Sequence, residues 1–200
     1  HSILSKMTQI SILGCGWLGL PLAKTLIKNG FSVNGSTTSV DKIPLLKNIG
    51  ISPFLLTLES TKVSGEIDAF LGDSTILIVN IPPKLRADNK ENFVAKISLL
   101  LPFLEKSRIE KVLFISSTSV YQDENNLITE ETQPQPDTES GRQLVQTEKL
   151  LQTNKGFKTT VLRFAGLIGD DRHPAKFLAG RENLANPQAT GIQAYCLCRK

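Results

Sequence analysis

Short apolar runs rich in β-branched and aromatic residues alternate along the chain with longer helical stretches. The runs predict strands at Gln9–Leu13, Phe31–Ser36, Ser52–Leu56, Thr75–Asn80, Lys111–Ser116 and Thr159–Phe164. Helices are expected between them, at Trp17–Asn29, Asp41–Asn48, Asn89–Lys106 and Glu139–Asn154. That alternation is the signature of βαβ units feeding a parallel sheet buried on both faces. The expected class is therefore α/β, a Rossmann-type doubly wound parallel sheet spanning residues 7–170. Asn29-Gly30 makes a good stop for the first helix, and Asp41 is expected to cap the second. Pro102 lies inside the third helix, which it should kink or split because it cannot donate a backbone bond. The acid-, Asn- and Gln-rich stretch Gln122–Asp137, with Pro134 and Pro136, reads as an exposed loop over the site.

The first strand runs straight into Gly14-Cys15-Gly16-Trp17-Leu18-Gly19, a GxGxxG that opens a helix. Glycines at those places allow a tight turn, close approach of backbone to a pyrophosphate, and close packing of helix on strand. The helix start adds N–H groups and a partial positive charge for the anion. Strand before and helix after turn a weak pattern into a dinucleotide site. The side chains of Cys15 and Trp17 are expected to pack the turn rather than to do chemistry. Asn80, Ile81 and Pro82, leaving the fourth strand, are expected on the cofactor side of the crevice. An NAD-selective site places Asp or Glu about 20 residues further on, at the end of the second strand. Here the chain has Asn34-Gly35-Ser36-Thr37-Thr38-Ser39. With no carboxylate to repel a 2′-phosphate, Ser36, Thr37, Thr38 and the Lys42 ammonium favour NADP, NAD remaining the alternative.

Composition narrows the function classes. Two hundred residues at 40% hydrophobic content suffice for one well-buried domain with a fragment of a second. The net charge of +4 comes from 23 basic and 19 acidic residues spread along the chain, so nucleic acid is not expected as a partner. No apolar stretch has the length of a membrane span, and a homodimer is compatible with the reading. Three cysteines, Cys15, Cys196 and Cys198, do not make a secreted disulfide framework and point to a reducing cytoplasm; Cys196-Leu197-Cys198 alone is too little for a metal, and none is expected. The run from Lys6 to Cys15 is too short and too polar for a lipoprotein signal, and His1–Lys6 reads as an upstream remainder outside the fold.

The fifth strand ends in Ser116-Ser117-Thr118-Ser119-Val120-Tyr121. Together with the glycine turn this resembles the extended short-chain dehydrogenase/reductase family, the NAD(P)-dependent epimerase/dehydratase group. Val161-Leu162-Arg163-Phe164 and Ala165-Gly166-Leu167-Ile168-Gly169 are similar to the family's sixth strand and substrate-facing loop. The resemblance implies that Ser117 hydrogen-bonds the substrate's reacting oxygen, with Thr118 beside it. It implies a small-molecule substrate, a nucleotide-sugar or a similar hydroxylated compound, with Arg172 and His173 as ligands after the sixth strand. The family's acid/base pair, a Tyr followed four residues later by Lys, is missing: Ser140 and Leu144 occupy those places. This implies an atypical branch in which ordinary hydride transfer is in doubt. Arg142 is the nearest charged side chain on that helix, and Glu139 and Glu148 lie about two and a half turns apart, too far to act as a pair.

Residues 171–200 read as a fragment of a substrate lobe, and the stretch from Thr190 has neither helical nor strand period, as a truncated or frame-shifted end would. Two function classes follow. One is an epimerase/dehydratase-type oxidoreductase; the other is a dinucleotide-binding or sensor module without turnover. A β-hydroxyacid-type dehydrogenase is disfavoured by the serine-rich strand end before Val120-Tyr121.

Overall fold

The structure, a computed structural model, describes residues 7–83, 91–122, 127–167 and 197–199. In chain order the elements are β1 (Gln9–Leu13), α1 (Gly19–Lys28), β2 (Ser32–Thr37), a 3₁₀ turn (Val40–Lys42), α2 (Ile43–Ile49), β3 (Ser52–Leu55), β4 (Thr57–Leu58), β5 (Val63–Ser64), α3 (Ile67–Leu71) and β6 (Ile76–Val79). There follow α4 (Phe93–Ser98), α5 (Leu101–Lys106), β7 (Lys111–Ser117), a second 3₁₀ turn (Thr118–Val120), α6 (Glu139–Thr153), β8 (Lys158–Phe164) and β9 (Leu197–Arg199). The sheet order is β3-β2-β1-β6-β7-β8-β9, all parallel except β9, with β3 and β9 at its edges. The chain builds outward from β1 in one direction and then returns to build outward in the other. This is the doubly wound Rossmann topology, with its reversal between β1 and β6.

Alternate residues of the buried strands feed two cores. Ile10, Ile12, Val33 and Ile78 pack with Ala23 of α1 and Leu46 of α2 on one face. Leu13, Leu77, Val79, Val112 and Phe114 pack with Phe70, Ile97, Leu104 and Leu151 of the later helices on the other. Polar residues inside these strands have specific partners. The Phe70 carbonyl accepts from the Ser11 hydroxyl at 2.7 Å and from the Asn34 amide at 2.8 Å, tying the five-residue α3 to two strands.

Several expectations are corrected. Asp41 does not cap α2: it lies within the 3₁₀ turn, and Lys42 holds the N-cap place with no side-chain bond. The third expected helix divides at Leu99-Leu100, and Pro102 sits in the first turn of α5, where its missing N–H costs little. The hairpin β4/β5 and helix α3 fall in a stretch for which no element was expected; two- and five-residue elements are too short to show a period. Near the chain's end, where no period was visible, Leu197–Arg199 lies antiparallel along β8. Gly30, with φ of +83°, ends α1 as expected. No described helix is long and apolar enough to cross a membrane.

Candidate functional site

The glycine turn closes the C-terminal end of β1 against β2 and β6. Gly14 adopts a φ of +102°, and a Cβ there would lie 2.6 Å from the Asn80 carbonyl. Its N–H donates to the Ser36 hydroxyl and the Cys15 N–H to the Ser36 carbonyl, both at 2.8 Å, while the Asn80 amide donates to the Gly14 carbonyl at 2.9 Å. Gly19 lets α1 sit on the turn, since a Cβ would fall 2.2 Å from the Gly14 carbonyl. Gly16 differs: it is exposed, and a Cβ would meet nothing within 4 Å. Two glycines serve packing, and the middle one leaves open space. Helix α1 has no side-chain cap and no acid in its first turn, so its start keeps its affinity for an anion.

Two cavities meet over this turn. The first is lined by Gly14, Cys15, Gly16, Ser36, Thr37, Thr38, Lys42, Asn80, Ile81 and Pro82, together with Leu56, Leu58 and Lys96. Gly16, Trp17, Leu18, Asn80, Ile81, Pro82 and Ser117 line the second, with Ser116, Leu144, Phe164 and others. Gly16, Asn80, Ile81 and Pro82 belong to both, so the cavities are one crevice across the β1–β6 reversal. Thr118 lies outside both walls, opening the 3₁₀ turn. Arg172 and His173 lie outside the described residues.

Within the first cavity, Ser36 is buried and its hydroxyl oxygen already accepts from Gly14, and Thr37 accepts the Ser39 N–H at 3.1 Å. Thr38 and Lys42 are exposed at the rim. Cys15 is buried, and that burial, only partly offset by a backbone hydrogen bond, pushes its thiol from the ordinary 9.0 up to about 11. It is an unreactive packing group. Lys96, half-buried, pairs with Glu91.

In the second cavity, Ser117 accepts the Ser119 N–H at 3.1 Å. Helix α6 is capped by Thr138, whose hydroxyl accepts from Gly141, and presses on the turn after β7 at Gly141, where a Cβ would lie 2.2 Å from the Ser119 carbonyl. The place the resemblance gives to Lys holds Leu144, 3% exposed and part of the cavity wall. Arg142 points away, paired with Glu139 at 2.9 Å, and Glu139 and Glu148 are indeed far apart in environment, one exposed and one buried.

Sequence reasoning missed the network behind that wall. Arg163 of β8 donates from Nε to Glu148 Oε1 at 3.0 Å and from Nη2 to Oε2 at 2.5 Å. Ser116 donates to Glu148 Oε1 at 2.6 Å, and Arg163 Nη1 donates to the Tyr121 hydroxyl, the guanidinium lying 5.2 Å from the tyrosine ring. Burial alone would loosen the Arg163 proton, but the bonds and charge of Glu148 and the Tyr121 contact outweigh it and raise its pKa above the ordinary value. An arginine between apolar neighbours in a buried strand was the available signal, since such a charge requires a partner.

No family model matches the chain. The protein YeeZ of Escherichia coli K12 is 36% identical over 177 residues, which are 88% of this chain and 64% of that protein. Among solved structures, a putative NAD-dependent epimerase/dehydratase from Methylobacillus flagellatus has a TM-score of 0.62 at 27% identity, covering 83% of this chain and 57% of that one. A UDP-glucuronic acid 4-epimerase from Bacillus cereus, in complex with NAD, has a TM-score of 0.68 at 19% identity, covering 84% and 58%. The chain thus spans 64% of the length of YeeZ and less than three fifths of the two solved structures.

Proposed function

We propose that the crevice binds a nicotinamide dinucleotide, and that the chain carries the cofactor half of a protein of the epimerase/dehydratase type, in a branch of the extended short-chain dehydrogenase/reductase family without the Tyr/Lys pair. The observation that carries the reading is the shared wall: one crevice crosses the sheet at its reversal, and open space stands over Gly16 where the other two glycines are packed. The Gly14–Gly19 turn and the start of α1 hold the pyrophosphate. Thr38 and Lys42, on a wall whose described lining residues include no carboxylate, take the 2′-phosphate of NADP and make NADP the preferred form. When bound, the nicotinamide ring supplies reversible hydride transfer. Ser117 orients a hydroxyl of a nucleotide-sugar or similar substrate.

Among the described residues, a proton at that hydroxyl lacks the family's ordinary acceptor pair. A serine hydroxyl such as that of Ser140 is too weak an acid to serve and Leu144 cannot carry charge, so the contribution of that pair to general acid/base help, about 10²–10⁴ in rate, is missing. The buried Leu144 in the wall therefore favours a second reading, a module that binds the dinucleotide with slow or no turnover. Calorimetry with NADP⁺ tests the common claim. Gly16→Asp puts bulk and negative charge into the open space and should abolish binding with an unchanged melting temperature, because its Cβ meets no protein atom within 4 Å. Equal affinity of variant and parent would overturn the assignment.

A further inference from the structure

The first cavity draws its walls from both faces of the sheet. Gly14, Cys15 and Gly16 close one side, where Cys15 belongs to the core packed by α1 and α2. Leu56, Leu58 and Lys96 close the other, and those two leucines belong to the opposite core, with Phe93 and Ile97 of α4. Lys96 stands on α4 between these last two residues in sequence. Its N–H is taken within the helix by the Asn92 carbonyl at 3.2 Å, so what it brings to the cavity is its side chain. Helix α4 is seated toward β7 and α6: the Phe93 ring stacks on Phe114 with centroids 6.3 Å apart, and the Phe93 N–H donates to Gln143 Oε1 at 2.7 Å. The ammonium therefore enters from the β6–β7 side while Lys42 stands beyond the end of β2, and the glycine turn after β1 lies between them. Lys96 pairs with Glu91, the two side chains being 14% and 20% exposed. An ammonium has three protons, and among the described residues no second carboxylate pairs with it, so protons are left for a ligand.

We infer that Lys96 binds the pyrophosphate from the wall opposite the glycine turn, and that Glu91 is the counter-charge it shares with the ligand. The inference rests on the dinucleotide reading. A pyrophosphate laid on the start of α1 turns its outer oxygens to the far wall, and among the described lining residues Lys96 is the cation there. Half-buried, it is less screened than the exposed Lys42, and a charge drawn out of water attracts an anion more strongly. A diphosphate carries more negative charge than one carboxylate, so the ammonium shifts hydrogen bonding from Glu91 to the ligand when it arrives. The two lysines then read different phosphates, Lys42 the 2′-phosphate and Lys96 the pyrophosphate.

Calorimetric titration with NAD⁺, NADP⁺ and ADP-ribose tests this, since all three carry the pyrophosphate and only NADP⁺ carries the 2′-phosphate. Lys96→Met, which keeps the stem and removes the charge, should weaken all three by one common factor of about tenfold, the worth of a hydrogen bond to a charged group. Lys96→Arg should restore most of that loss. Glu91→Gln separates a ligand from a brace. With the competing charge gone, all three probes should bind about threefold more tightly. A pair that only steadied α4 would instead weaken binding in both variants, which overturns the inference. Should Lys96→Met melt too early to titrate, Glu91→Gln still decides, because tighter binding supports the inference and weaker or parental binding refutes it. A Lys96→Met loss confined to NADP⁺, or no loss at all, overturns it too, with the dinucleotide reading intact. If the parent binds none of the three, the dinucleotide reading fails and the inference falls with it.

Discussion

Glu148→Leu removes the carboxylate on which the buried network converges, and the expected cost follows from what it leaves behind. The side chains of Arg163 and Glu148 are 5% and 4% exposed, so water cannot replace the lost partner. The guanidinium keeps the Tyr121 hydroxyl and ring but loses two charge-assisted bonds, and the Ser116 hydroxyl loses its acceptor. Breaking a buried pair by removing one partner costs about 3–5 kcal/mol. Against a total stability of about 5–15 kcal/mol for a domain, that is about a fifth at the least. Removing the charge as well, in Glu148→Leu with Arg163→Met, should bring stability back to within about 2 kcal/mol of the parent, since apolar replacements no longer strand a charge. The assay is urea unfolding at pH 7, followed both by far-ultraviolet circular dichroism and by Trp17 fluorescence, with coincident curves required before a free energy is taken. The loss should persist in 0.5 M salt, which screens exposed pairs far more than buried ones. A single variant within about 1 kcal/mol of the parent, or a double variant no better than the single, would refute the reasoning.

Lys42→Ala should narrow the preference for NADP⁺ over NAD⁺ by weakening NADP⁺ alone; equal affinities already in the parent, by calorimetry, would remove the argument from the missing carboxylate. Cys15 should resist iodoacetamide at pH 9 in the folded chain and react readily in urea, followed by mass spectrometry of its peptide. The sign follows from the raised pKa: an unfolded thiol loses its proton near 9.0 and the folded one near 11, so rising pH across that window favours the unfolded chain. Fast labelling of the folded chain would show the thiol is not held in the turn.

What the sequence revealed depended on whether the determining signal was local. The strands of the parallel sheet were legible to within a residue or two, because a strand covered on both faces must be apolar almost throughout. The glycine turn after β1 was legible because its three glycines follow a predicted strand in the spacing that a tight strand-to-helix turn requires. Pro102 announced the division of the third helix but not its place, at Leu99-Leu100. The network behind the second cavity was invisible for the opposite reason. Ser116, Glu148 and Arg163 lie on three elements up to 47 residues apart, with Tyr121 just past the second 3₁₀ turn, and their meeting follows from the β7–β8 register and the seating of α6. Lys96, Leu56 and Leu58 were missed likewise, since nothing near them in sequence marks a cavity wall.

The edge formed by β3 has a consequence for association. The Leu56 N–H donates inward to the Thr37 carbonyl. By the alternation of a strand, Pro53 and Leu55 therefore hold the outward places. Proline has no N–H, so this four-residue edge offers an incoming strand a single donor, at Leu55. Another chain that tried to extend the sheet there would find half a ladder, and the exposed Leu55 side chain gains no template for aggregation from the backbone beneath it.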